Sequence, residues 1–235
     1  MKKIIHKANS RGTADFGWLH SKHTFSFGQY YNPDRVHFGM LRVLNDDILQ
    51  GGAGFPTHPH SNMEIVSIPL KGSLAHKDST GTEKLIHTEE VQIMSAGSGL
   101  THSEYNGSKT DEVNFLQIWV FPKEKDIKPR YDQKVFESSE RVDRIQTVVS
   151  PNDEKALWIN QDAYFSLTNL SDGNTITYNF NKMGNGVYIF IIEGQIDIQE
   201  DTLDKRDAIG ISETNEVTIS AKKDSELLFI EVPMN

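Results

Sequence analysis

The chain has 235 residues, a net charge of −9 and no cysteine. That length can bury the core of one large or two modest domains, and the missing cysteine excludes disulfides, thiolate metal sites and a cysteine nucleophile. The charge is −1 over residues 1–121 and −8 over residues 122–235, an acidic balance that argues against direct nucleic-acid binding. Met1–Lys7 is basic but has no apolar run behind it, so it does not read as a signal peptide. No stretch reaches the roughly 18 apolar residues of a membrane span. The expectation is a soluble, cytoplasmic protein.

Ile4–Trp18 shows no clear period. His23–Phe27 alternates aromatic and polar residues before an Asn32-Pro33-Asp34 turn, and His37–Leu44 reads as a strand ended by a turn at Asn45-Asp46-Asp47. A glycine-rich turn at Gly51–Gly54 then leads into His58-Pro59-His60 and the apolar run Ile65–Leu70. Lys71-Gly72 reads as a hairpin turn, Ser73–Lys77 as a strand, Asp78–Gly81 as a turn, and Glu90–Met94 as a strand. Ala96–Gly99 turns into a strand carrying His102-Ser103-Glu104. Asp111–Phe121 alternates, with Val113, Phe115, Gln117, Trp119 and Phe121 on one face.

Pro122–Pro129 is charged and bracketed by prolines, the signature of a linker, and it sets the expected domains at 1–122 and 123–235. Beyond it, strands are expected at 145–149, 157–159, 164–168, 175–180, 186–192, 195–199, 207–211, 217–219 and 226–232, with a short helix near Ser138–Arg144. Many short strands at regular intervals indicate an all-β protein of two sandwiches or barrels. The second half resembles a degenerate copy of the first. Aligning Gly194 with Gly72 sets Lys182 against His60, and Phe180 or Asn181 against His58.

All nine histidines lie between His6 and His102, so any imidazole chemistry belongs to the first half. On a strand, residues i and i+2 share a face. His58 with His60, and His102 with Glu104, therefore form two such pairs. Three imidazoles and a carboxylate suit a divalent transition metal with coordination positions left open. Glu64 continues the phase of His58 and His60 and is expected to support the ligands or line the pocket. His76 and His87 read as structural or solvent-facing, and His23, Phe25 and Phe27 as packing. Ser79 and Ser103 have no His/Asp arrangement that would make a hydrolase.

The run Gly52-x5-His58-x-His60-x3-Glu64-x7-Gly72, followed by Gly99-x2-His102-x3-Asn106, resembles the two signature motifs of the cupin superfamily. It has one extra residue before Gly72, and Gly97 stands where proline is usual. More specifically, several segments are similar to the pirin family, especially its bacterial quercetin 2,3-dioxygenase-like members. They are His23–Phe27, Leu41–Asp47, Gly54–His60, Met63-Glu64-Ile65, His76-Lys77-Asp78-Ser79, Met94–Gly97, His102–Asn106 and Pro129-Arg130-Tyr131.

This resemblance implies a bicupin, two tandem jelly-roll barrels, with one metal held by His58, His60, His102 and Glu104 in the N-terminal barrel. The C-terminal barrel lacks ligands. The implied metal is iron(II) first, with nickel, copper, manganese or zinc compatible with the same donors. The implied reaction is O2-dependent 2,3-cleavage of a flavonol such as quercetin with release of carbon monoxide, and Glu104 as the catalytic base. The alternative is a metal-dependent redox-sensing regulator that binds a transcription-related protein partner. A non-oxidative cupin such as an isomerase is the third reading.

Overall fold

Nearly every alternating stretch becomes a strand. The computed structural model describes all 235 residues and contains 22 strands with two short 3-10 turns, at Ala8–Ser10 and Ser138–Arg141. The strands of the first half are β1 (Lys2–His6), β2 (Gly12–Asp15), β3 (Leu19–His23), β4 (Leu41–Leu49), β5 (Gly54–His60), β6 (Glu64–Lys71), β7 (Ser73–Asp78), β8 (Glu83–His87), β9 (Glu90–Ser95), β10 (Leu100–Asn106), β11 (Val113–Val120) and β12 (Arg130–Val135). The second half adds β13 (Gln146–Ser150), β14 (Leu157–Trp158), β15 (Tyr164–Leu170), β16 (Thr175–Asn179), β17 (Asn185–Glu193), β18 (Gln195–Ile198), β19 (Asp201–Asp204), β20 (Ala208–Ser212), β21 (Glu216–Ala221) and β22 (Ser225–Pro233).

Each half is a sandwich of a seven-stranded and a four-stranded sheet. The first pairs β12-β9-β6-β11-β4-β3-β2 with β5-β10-β7-β8; the second pairs β1-β20-β17-β22-β15-β13-β14 with β16-β21-β18-β19. The all-β, two-barrel expectation is met. The ends of the halves are exchanged, however. β1 lies along β20 of the second barrel, from Lys2↔Ser212 to His6↔Ala208. β12 lies along β9 of the first, from Arg130↔Ser95 to Val135↔Glu90. Residues 122–129 have no regular structure, yet the chain returns to the first barrel before entering the second.

One expected turn is absent. β4 runs on through Asn45-Asp46-Asp47 to Leu49, and all three polar residues are buried. The two aspartates remain in strand because each face offers them partners. Asp46 accepts from Asn114 Nδ2 at 2.8 Å and pairs with Arg206 Nε at 3.3 Å, while Ser21 Oγ donates to Asp47. A polar run that reads as a turn stays in strand when its hydrogen bonds are met inside.

The largest core lies between the barrels. It joins Leu44, Val66, Ile93, Leu116 and Ile118 of the first large sheet to Phe165, Phe190, Leu228 and Ile230 of the second. The interior of the second barrel is a separate apolar cluster that includes Tyr178, Ile189, Leu203, Ile219 and Phe229. Apolar packing inside the first barrel is confined to two small groups, around Phe115 and around Met94. Between them the interior carries polar side chains. No helix is long and apolar enough to cross a membrane.

Candidate metal centre

The small sheet of the first barrel brings the chemistry together because three neighbouring strands turn alternate residues inward. His58 and His60 share one face of β5, and His58 lies directly opposite His102 on β10. On the other side of β10, His102 faces Asp78 and Glu104 faces His76, both on β7. The ring centroids of His58, His60 and His102 lie 4.5–4.9 Å apart.

The ligand atoms fall into two overlapping groups, one of His58, His60 and His102, the other of His76, His102 and Glu104. Within each, the atoms lie within 4.8 Å of one another. His102 belongs to both groups, whereas Glu104 shares a group with neither His58 nor His60. Glu104 approaches from the side of His76, a residue read from sequence as structural or solvent-facing. His76 is instead buried within the site.

These donors fit a divalent metal. Burial, with a further contribution from neighbouring histidines, holds His60 and His102 neutral. It lowers His60 to about 4 and His102 to about 2. His58 Nδ1 lies 2.7 Å from the carbonyl of Pro56, so it donates there and leaves Nε2 as the lone-pair nitrogen. His102 Nε2 is buried with no hydrogen-bond partner, an orphan that a cation would satisfy. Trp119 meets His60 edge to face at 4.9 Å.

Glu104 is buried beneath the imidazoles. Burial, reinforced by the charge of Asp47, pushes its carboxyl up to about 7. Gln117 Nε2 donates to its Oε2 at 2.6 Å, and Ser67 Oγ lies 3.3 Å from its Oε1. Ser67 has one proton, which it gives to Gln117 Oε1 at 2.8 Å. A protonated Glu104 therefore closes a ring, donating from Oε1 to Ser67 Oγ and accepting at Oε2. Gln117 and Ser67 were not picked out as site residues from sequence. The available signal was polarity inside strands that are otherwise apolar on the same face.

Glu64 does not join the ligand atoms. β5 and β6 lie in different sheets, which breaks the phase assumed for one continuous strand. Its Oε2 accepts from Ser95 Oγ at 2.8 Å and from the backbone N–H of Asn160 at 3.1 Å, tying the first barrel to the second half.

A cavity of about 640 Å³ lies between β2–β4 and β5, and none of the four candidate ligands lines it. Phe16, Phe27, Tyr30 and Phe55 wall it, and His23 and Asn45 reach into it. His23 Nδ1 and Asn45 Oδ1 are buried without partners. His23 and Phe27 thus line a space rather than only pack, whereas Phe25 belongs to the core between the barrels. Phe27 meets Trp119 at 5.3 Å, and Trp119 meets His60, which links the cavity wall to the imidazoles.

The second barrel repeats the scaffold around different contacts. Both ligand groups lie in the first half. Asn181 and Lys182, the counterparts of the His-x-His segment, donate their backbone N–H groups to buried Glu231 at 2.9 and 3.0 Å. Tyr178 Oη and Asn185 Nδ2 donate to the same carboxylate, each at 2.9 Å. A carboxylate ringed by donors holds the loop there.

Two tandem jelly-roll sandwiches, with an imidazole–carboxylate cluster inside the first, define a bicupin with a candidate divalent-metal centre. Residues 5–120 match the family described as Pirin, and residues 147–232 match the quercetinase C-terminal cupin domain. The chain is 39% identical over 231 residues to quercetin 2,3-dioxygenase of Escherichia coli K12, spanning 97% of this chain and 98% of that protein. It is 38% identical over 222 residues to a pirin-like protein of Caulobacter vibrioides, spanning 94% and 95%. The structure matches that of the bacterial pirin YhhW from Escherichia coli in complex with nickel(II), with a TM-score of 0.93, 38% identity and 99% of both chains covered. This chain belongs to the pirin family.

Proposed function

We propose that this protein is a metal-dependent dioxygenase that cleaves flavonols such as quercetin across the 2,3 bond, consuming O2 and releasing carbon monoxide. His58, His60, His102 and Glu104 hold one divalent metal, with iron(II) the first choice. The observation that carries the reading is a buried carboxyl poised near 7 close to His76 and His102, the latter shared with His58 and His60. The activity named for the Escherichia coli relative supports it.

The aromatic side chains Phe16, Phe27, Tyr30 and Phe55 accept a flat polyphenol. Glu104 takes the 3-hydroxyl proton, a task for which a base near 7 is well matched at neutral pH. Gln117 steadies the carboxylate once it ionises. A bound metal supplies Lewis acidity that favours the substrate enolate and, when redox-active, a route for O2. Flavonol plus O2 yields a ring-opened phenolic ester plus carbon monoxide, so no external reductant is consumed.

The test is oxygen uptake by iron(II)-reconstituted protein given quercetin, with the His58→Ala/His60→Ala double variant as control. One O2 consumed and one carbon monoxide released per flavonol, lost in the double variant, is the expected outcome. Tight metal binding without turnover transfers the assignment to a metal-dependent regulator. Zinc content without oxygen consumption points to a non-oxidative cupin.

A further inference from the structure

We propose that Asp78 and His76 set the tautomer of His102, so that its Nε2 presents a lone pair to the metal. This rests on His102 being a metal ligand. The motif His76-Lys77-Asp78-Ser79 stands outside the four ligands, yet β7 turns His76 and Asp78 inward beside β10.

The protons can be placed from the acceptor end. Asp78 has a fully buried side chain. Its Oδ1 accepts from Thr80 N at 2.8 Å, Thr80 Oγ1 at 2.6 Å and Thr82 N at 3.2 Å. Its Oδ2 lies 3.0 Å from His76 Nε2. A carboxylate so surrounded is an acceptor only, so His76 carries its proton on Nε2 and Nδ1 is bare. That bare nitrogen lies 3.5 Å from His102 Nδ1, at the outer limit of a hydrogen bond. Two bare nitrogens would repel, so His102 donates from Nδ1. Its remaining lone pair is then on Nε2, the buried atom with no partner.

His58 reaches the same tautomer more simply, through the carbonyl of Pro56. Tyr131 packs against His76 in a tilted arrangement, with ring centroids 4.6 Å apart, and holds the relay ring against His102. Its hydroxyl is anchored by Gln133 Oε1 at 2.7 Å. β12, which follows the irregular segment after β11 yet pairs back into the first barrel, supplies both residues. Asp78 and His76 are positioning residues that act through His102.

Asp78→Asn tests the relay with almost no change in shape. Its amide oxygen keeps the three donors of the Thr80–Thr82 turn, so its NH2 faces His76 Nε2 and forces that nitrogen to accept. The chain of protons then reverses, and His102 carries hydrogen on Nε2. Long-range 1H–15N spectra of the histidine rings in metal-free protein should show His102 protonated on Nδ1 in the wild type and on Nε2 in Asp78→Asn. Zinc(II) affinity, measured by chelator competition, should fall about 10–100-fold.

His76→Phe keeps an aromatic ring against Tyr131 but removes the acceptor. It should weaken zinc(II) binding similarly while the cobalt(II) spectrum retains its number of nitrogen ligands. An unchanged His102 tautomer with unchanged zinc(II) affinity in Asp78→Asn overturns the proposal. So does loss of one nitrogen ligand from the cobalt(II) spectrum of His76→Phe, which would make His76 a ligand itself. If the tautomer switches but wild-type protein binds neither metal, the relay stands and the metal-centre reading fails.

Discussion

Replacing Glu104 with glutamine isolates what the buried carboxylate costs the metal-free fold. The folded protein pushes this carboxyl from its ordinary 4.5 to about 7, chiefly by burial. Because the folded value is raised, the stability associated with the neutral form is complete below pH 4.5 and is lost as pH rises through 7. Burying Glu104 therefore costs about 3 kcal/mol at pH 8.5, where it is ionised, but only about 1 kcal/mol at pH 5, where folding keeps it neutral. Glutamine reproduces the neutral ring, with its NH2 donating to Ser67 Oγ and its carbonyl accepting from Gln117 Nε2. Urea denaturation of metal-stripped Glu104→Gln should show a gain over wild type near those two values at those two pH values. Zinc(II) should reverse the order by stabilising wild type more, because binding to the native state adds to stability by mass action. A gain that is equal at pH 5 and pH 8.5, or a loss at pH 8.5, would refute the reasoning.

Gly97 stands where the cupin motif usually has proline. Its φ of +47° is outside the reach of proline, and an added Cβ would lie 2.0 Å from the carbonyl oxygen of Ile127. Gly97→Ala should cost about 2–3 kcal/mol and lower the melting temperature by roughly 5–10 °C; wild-type stability in that variant would contradict the backbone assignment. Leu228 is fully buried in the core between the barrels. Leu228→Ala should cost about 2–5 kcal/mol, and calorimetry should still show one transition because both barrels share that core. Two separated transitions would show that the barrels unfold independently.

Much of this architecture was legible in residue order, because period-two alternation and glycine punctuation are local signals. β11 illustrates it: Leu116, Ile118 and Val120 face the shared core, while Val113, Phe115 and Trp119 face the barrel interior. The convergence of His58, His60 and His102 followed from the same rule applied to two strands that proved to be neighbours. What could not be read was which strands pair. Nothing local in Lys2–His6 or Arg130–Val135 tells which barrel each completes. The phase assumed for Glu64 fails for a related reason, since a sheet change between His60 and Glu64 is invisible to a periodicity argument. His76 reads as an isolated histidine until β7 is set beside β10.

The contrast between the two interiors bears on what the second barrel contributes. An interior filled with Ile189, Ile219 and Phe229 stabilises its own fold. An interior that holds Asp47, Ser67, His76, His102, Glu104 and Gln117 gains far less from apolar burial, and ionising either of its two raised carboxyls costs stability. The first barrel can keep such a site because its large sheet packs its other face against the large sheet of the second barrel, where the most extensive apolar core is found. The exchanged strands β1 and β12 and the hydrogen bond from Asn160 N–H to Glu64 connect the halves further. On this argument the ligand-poor barrel is the stabilising half of the metal centre, and residues that never touch the site set how much polarity the site can hold.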